Sequence, residues 1–436
     1  MLRTLRTFGH FVVIFQVAMC LSAQSQNSSS DTGKSSELLP SWLKLGAEER
    51  ARMETLNGVS FTATDNTYLL QRLRVNVDLK PLSWLRFSFQ GQDSRVFVSS
   101  VHPAPSSQYD PADLRIGYVQ IGDAESGPVS FRAGRQRFDF GEGRLVADPN
   151  WSNVGRSFDG WMVTLRHQNL RVDMFGGASD KIFTDGFDTP MPGEHFYGVY
   201  ASVKNWIPNA SIEPYAFWKL EHNIKTELAR SGDLDEKTGG LRWAGKLPQG
   251  FDYGLEAALQ RGSIVDGSIR TAVMHLVGGY TLPDQRRQPR LYLEWNRGSG
   301  DQNPRDGVHG AFDTLFPSSH DKFGVADQFC WTNLVHARAG VQIKIFGSVT
   351  AGAAYNSFWL ANHRDGIYSG TKLLIASNGT QGTHIGQEPD IQLRWLAFRR
   401  TAMDFAFGRI FPGEFLRNTH HDFAYNSVVL GVTQRF

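Results

Sequence analysis

From residue 43 to the end, the chain alternates hydrophobic and polar positions with period two, and Gly, Pro, Asn or Asp interrupts the alternation repeatedly. Over 68–80, Leu69, Leu73, Val75, Val77 and Leu79 share one face, and Arg72, Arg74, Asn76, Asp78 and Lys80 the other. Leu85, Phe87 and Phe89 alternate with Arg86, Ser88 and Gln90. Over 212–221, Ile212, Pro214, Ala216, Trp218 and Leu220 oppose Glu213, Tyr215, Phe217, Lys219 and Glu221. Over 334–345, Val335, Ala337, Ala339, Val341, Ile343 and Ile345 oppose His336, Arg338, Gln342 and Lys344. Eighteen such segments begin near 42, 67, 83, 112, 129, 159, 170, 194, 210, 238, 251, 270, 288, 333, 348, 387, 401 and 422; the faces of those at 112, 129 and 270 are ambiguous. Long connections are expected at 98–111, 139–158, 178–193, 222–237, 298–332 and 361–386, and short turns at 168–169, 205–209 and 248–250.

A soluble sandwich alternates in the same way, so period two alone does not choose the solvent. Three further features choose lipid. The runs are about 9–11 residues long, the span of a tilted membrane strand, against about 5–6 in globular sheets. Their polar faces are heavily charged, as a water-filled lumen requires. Trp42, Trp84, Trp161, Trp206, Trp243, Trp295 and Trp395 fall near segment ends, where an interfacial girdle belongs. Hydrocarbon offers no partner to an unpaired N–H or C=O, so such a sheet must close. The expected fold is all-β: a transmembrane antiparallel up-and-down β-barrel of about 18 strands around a water-filled lumen. The last segment sets Val428, Leu430, Val432 and Phe436 on one face and ends on an aromatic, the kind of strand that outer-membrane insertion machinery reads. Residues 41–436 are thus expected as a barrel surrounded by lipid, in the outer membrane of a Gram-negative-type bacterium.

The beginning of the chain has a different character. Arg3 and Arg6 supply a basic start, 11–21 is apolar apart from Gln16, and Leu21-Ser22-Ala23 is a small-residue cleavage site. Residues 1–23 therefore read as a signal peptide. Met19 is a poor residue to precede a lipidated cysteine, which disfavours a lipoprotein reading through Cys20. The Ser- and Asn-rich stretch that follows makes 24–40 a flexible periplasmic segment. No internal run reaches the ~20 apolar residues of a spanning helix, and the mean hydropathy of −0.33 excludes a polytopic helical membrane protein. The chain has 45 basic and 43 acidic side chains; the leader holds two arginines and no acid, so the mature chain has 43 of each. Zero net charge gives no sign of a nucleic-acid partner. Loss of the leader removes Cys20 and leaves Cys330 without a disulfide partner.

Several segments resemble the alginate export family of outer-membrane barrels. They include Gly134-Arg135-Gln136, Gly141-Glu142-Gly143-Arg144-Leu145-Val146, and Trp151-Ser152-Asn153-Val154-Gly155-Arg156-Ser157-Phe158-Asp159-Gly160. Phe312-Asp313-Thr314-Leu315-Phe316-Pro317, His320-Asp321-Lys322-Phe323-Gly324, Trp331-Thr332-Asn333-Leu334 and Phe411-Pro412-Gly413-Glu414-Phe415-Leu416 follow. Cys330 departs from a usually small residue, and Pro389 stands where the family pattern runs into a strand. The resemblance implies a monomeric barrel of 18 strands whose arginine-lined pore conducts an anionic polysaccharide or oligosaccharide, alginate-like in its uronate chemistry. It implies no cofactor and no catalytic or metal centre.

On the lumen reading, Arg52, Arg72, Arg74, Arg86, Arg115, Arg132 and Arg394 project inward from the wall, while Arg144 and Arg156 sit in a matching loop that can fold inward. A guanidinium pairs bidentately with a sugar carboxylate and stays charged at physiological pH. Conduction needs several modest sites rather than one tight one. The competing reading pairs these arginines with Glu54, Asp78, Asp173, Glu213, Glu256 and Glu294 in a network that braces the wall, and zero net charge lends it weight. Other motifs carry less. Gly141 and Gly143 have no following helix and no Lys-Ser/Thr, so they mark a turn rather than a phosphate cradle. His420 and His421 face opposite ways if extended. Asp180, Asp185 and Asp188, and Asp301 with Asp306, match no standard calcium loop. Trp151 and Phe158 read as loop anchors. The alternatives to polyanion transport are a general anion-preferring porin for small solutes and, weakest, a hydrolase on a barrel scaffold. The latter needs a lipid-facing Ser-His pair that the order of Ser and His residues does not support.

Overall fold

Alternating segments become strands, and the computed structural model, which describes residues 39–99, 104–226, 229–283, 286–370 and 372–436, closes eighteen of them into one ring. The first six are β1 (Leu43–Asn57), β2 (Asp65–Leu82), β3 (Leu85–Phe97), β4 (Asp110–Ile121), β5 (Val129–Gln136) and β6 (Phe158–His167). Next come β7 (Leu170–Lys181), β8 (Glu194–Lys204), β9 (Ala210–Lys225), β10 (Ser231–Lys246), β11 (Phe251–Ile264) and β12 (Gly267–Thr281). The ring is completed by β13 (Arg290–Gly298), β14 (Leu334–Phe346), β15 (Val349–Leu360), β16 (His384–Phe398), β17 (Thr401–Pro412) and β18 (Tyr425–Arg435). Each pairs antiparallel with the next. The last returns to the first, with Glu48 opposite Arg435 and Asn57 opposite Asn426. The expected leader 1–23 and most of the segment 24–40 lie outside the described residues.

The lipid face and the lumen face separate as the alternation requires. Leu73 and Val75 are exposed on the outer wall while Arg72 and Arg74, one step along, are buried within. Trp42, Trp84, Trp206, Trp243 and Trp395 all lie exposed at the end of the barrel that carries the short turns; Trp161 sits toward the opposite end. One expected loop is mostly sheet: β9 and β10 extend through 222–237, with Lys225 paired to Ser231, so a strand placed at 238 begins at Ser231.

The ambiguous faces have local causes. The register of β3 against β4 slips at Gln90/Gly91 and again at Gln92/Ser94, so side chains on β4 change face partway along. On β5, Gly134 has φ 120, and a Cβ there would meet the Gly117 carbonyl oxygen at 2.3 Å. On β12, the inward set is Ile269, Thr271, Val273 and His275, half apolar and half polar. Pro389 and Pro214 are accommodated by breaks in the ladder: the β16–β17 pairing passes from Gln387 to Asp390, and the β8–β9 pairing from Ile212 to Tyr215.

The lumen has two unlike halves. Toward the long loops, the connections 137–157 and 299–333 fold inward and join lumen-facing side chains in an aromatic core. Phe138 packs on Phe175 with ring centroids 4.5 Å apart, and Phe316 meets Phe196 at 4.8 Å and Phe158 at 5.2 Å. Toward the short turns, the interior is polar and holds cavities of about 590 and 630 Å³.

Candidate functional site

Arginine fills its five donors best against planar oxygen acceptors, and the loop 137–157 brings such acceptors to the wall. Arg50 on β1 donates to the Asn150 carbonyl at 2.8 Å and the Ser152 carbonyl at 3.0 Å. Arg52 donates to the Trp151 carbonyl at 2.5 Å and stacks 4.0 Å over the Trp151 ring. From β2, Arg72 reaches the Asn150 and Ser152 carbonyls at 3.0 and 3.1 Å. Arg74 reaches Asn150 Oδ1 at 2.6 Å and the Val154 carbonyl at 3.3 Å. Arg115 on β4 clasps Asp148 at 2.5 Å.

Five guanidinium groups thus converge on 148–154, with three carboxylates bonded to them: Glu48 on Arg72, Glu54 on Arg52, and Asp148 on Arg115. Burial by itself would raise the Asp148 carboxyl, but Arg115, with Arg137 and Arg74, outweighs it and holds the group below the usual range. The loop is pinned by Asn153, whose amide donates to the carbonyls of Gln71, Arg95 and Gln108 at 3.2, 3.1 and 2.9 Å. Gly155, at φ 90, lets the chain pass; a Cβ there would lie 3.0 Å from Arg115 and 3.2 Å from Arg74. Trp151 acts as the expected anchor, stacked on His320 with centroids 3.6 Å apart.

A second arginine group gathers around β10, β13 and β14. Arg144, from the same loop, reaches Glu294 at 2.8 Å, and Arg338 reaches it at 3.3 Å. Arg242 bridges Glu142 at 2.9 Å and Glu213 at 3.0 Å. Three arginines here meet three carboxylates.

The other expected residues stand apart. Arg86 pairs with Asp78 at 2.6 Å, and Arg132 donates to Gln120 at 3.0 Å while lying 4.5 Å over Tyr118. Arg156 donates to the Pro317 carbonyl at 3.2 Å. Arg394 pairs with Asp404 at 3.2 Å and lines the 590 Å³ cavity together with Trp151, His320, Arg290 and Lys344. Arg132 lines the 630 Å³ cavity with Arg137, Arg166, Arg171 and Arg242. Sequence reasoning passed over Arg50, although it shares the face of Arg52 two residues on. It also passed over Arg242 and Arg338; the latter lies on the polar face of its segment.

A sealed ring of strands with an apolar outer belt, a polar interior and a loop folded across it defines an outer-membrane channel of the porin type. The chain belongs to the alginate export family, whose model matches residues 41–429. Solved Pseudomonas aeruginosa barrels share the fold. OccK5 (OpdH) is 12% identical over 90% of this chain and 98% of its own, with a TM-score of 0.62. OccK2 (OpdF) is 10% identical over 90% and 97%, with a TM-score of 0.62. OpdK, solved with vanillate, is 10% identical over 90% and 98%, with a TM-score of 0.59. No curated protein matches the chain.

Proposed function

We propose that this barrel passes an anionic polysaccharide or oligosaccharide, an alginate-like uronate, passively along its arginine-rich interior. The observation that carries this reading is the group of five arginines held mainly by neutral carbonyl oxygens. Guanidinium forks arranged for planar oxygen acceptors suit a sugar carboxylate, and loop carbonyls are partners that a passing carboxylate can replace. The cationic cavities at the short-turn end add further modest sites in series, as conduction requires. On this reading the barrel works as a monomer, and the exposed terminal Phe436 serves insertion.

Single-channel recording in planar bilayers tests it. Polyuronate added to one side should block the current transiently, and a neutral glucan of equal length should not; absence of block by any acidic glycan overturns the reading. A second reading, an anion-preferring porin for small carboxylates, draws support from the barrel that was solved with vanillate. It predicts permeation by small carboxylates with no block by the polymer.

A further inference from the structure

Away from the arginine lumen, carboxylates gather at the long-loop rim. Asp110 and Asp113 on β4 and Asp188, in the connection between β7 and β8, each offer an oxygen, and these oxygens lie within 4.8 Å of one another. Residues three apart on a regular strand face opposite ways. Here the register slip at Gln92/Ser94 and a φ of 53 at Ala112 turn Asp110 and Asp113 to the same place. The connection is fastened over them: the Asp188 N–H donates to Asp113 Oδ2 at 2.6 Å, and Arg135 donates to the Asp188 carbonyl at 3.0 Å.

The site is short of positive charge. Asp110 is 2% exposed, and among the described residues its Oδ1 receives no hydrogen bond while its other oxygen has Gln92 at 3.5 Å. The neighbouring Asp180, with a side chain 3% exposed, also has an oxygen that no donor reaches. With Asp159 there are five carboxylates, and among the described residues Arg135 is the cation that contacts the group. It lies 2.8 Å from Asp159, 3.4 Å from Asp180 and 3.9 Å from Asp113. Buried anions are retained where a cation or a coordinated metal balances them.

We propose that Asp110, Asp113 and Asp188 bind a calcium ion that ties the 182–193 connection to the barrel rim. Oxygen-only ligands select a hard cation over a thiophilic one. Calcium takes six to eight oxygens in an adaptable geometry, whereas magnesium demands a near-ideal octahedron. A ligand set split between a strand and a loop fits the more adaptable ion. The site is independent of what the lumen conducts.

The test uses the full chain in detergent, stripped with EGTA and titrated with CaCl₂, read by thermal unfolding and by equilibrium dialysis of radiolabelled calcium. Calcium should raise the Tm, and Asp110→Asn and Asp188→Asn should each lose one bound ion per chain, weakening its affinity by at least about tenfold. Asp185→Asn, exposed in the same connection, should respond like the wild type. Because Asp188 lies outside the wall strands, its variant decides the matter if Asp110→Asn fails to fold. A wild-type Tm indifferent to calcium overturns the proposal, as do aspartate variants with a wild-type response. Equal affinity for MgCl₂ overturns the choice of calcium.

Discussion

Two groups of arginines hold the same loop to different sectors of the wall, and they meet different partners. Arg50, Arg52, Arg72, Arg74 and Arg115 share three carboxylates; four of them also donate to backbone carbonyls of 150–154, while Arg74 and Arg115 reach the side-chain carbonyls of Gln92 and Gln90. Arg144, Arg242 and Arg338 are matched in number by Glu142, Glu213 and Glu294. A carbonyl satisfies the geometry of a guanidinium and leaves its charge standing; a carboxylate cancels it. A chain whose 45 basic and 43 acidic side chains nearly balance therefore still builds a local positive field, provided its acids are placed elsewhere in the ring.

The contrast is sharpest under charge reversal. Arg72→Glu with Arg74→Glu should turn anion preference into cation preference, read as a change of sign in the reversal potential across a KCl gradient. Arg338→Gln should leave that sign alone and instead cost about 3 kcal/mol in denaturant unfolding, because Glu294 loses a buried partner. If both changes move the reversal potential alike, the two groups do not differ in role. Asn153→Ala removes a donor from three carbonyls; the expected loss is about 1–3 kcal/mol, with a larger and noisier single-channel conductance as the loop loosens.

Acid should act on the first group through the Asp148 carboxyl. The Asp148 carboxyl is depressed, so its clasp on Arg115 is complete above the ordinary aspartate range and is lost only as the pH falls through the lower value. Conductance should hold steady at pH 5 and rise below about pH 4, and Asp148→Asn should abolish that rise. Trp151→Ala carries the smallest effect, about 1 kcal/mol, from the lost stacking on Arg52 and His320.

Much of this was legible in the sequence because lipid enforces period two. All eighteen strands, the inward set of Arg52, Arg72 and Arg74, and the belt of Trp42, Trp84, Trp206, Trp243 and Trp395 follow from one face meeting hydrocarbon and the other water; Trp161, toward the opposite end, does not join that belt. The pattern fails where both faces are apolar or where the backbone slips. Phe175, Phe196 and Phe217 point inward because loop phenylalanines cover them, and nothing local announces a cover supplied by Phe138, Phe140 and Phe316, which lie on connections far outside the strands they cover. The bulged β4 hides its faces for the second reason. The aspartates of the rim were visible only in part: Asp180 and Asp188 stood out as loop acids, but Asp110 and Asp113 join them through a register slip that spacing does not reveal.

The pairing of β1 with β18 has its own consequence. The earliest-made and latest-made strands are each other's neighbours, so the cylinder cannot be sealed hairpin by hairpin as the polypeptide emerges. Every intermediate short of the full length presents two raw edges, and a chain clipped at either terminus should stay stranded outside the bilayer rather than form a smaller tube.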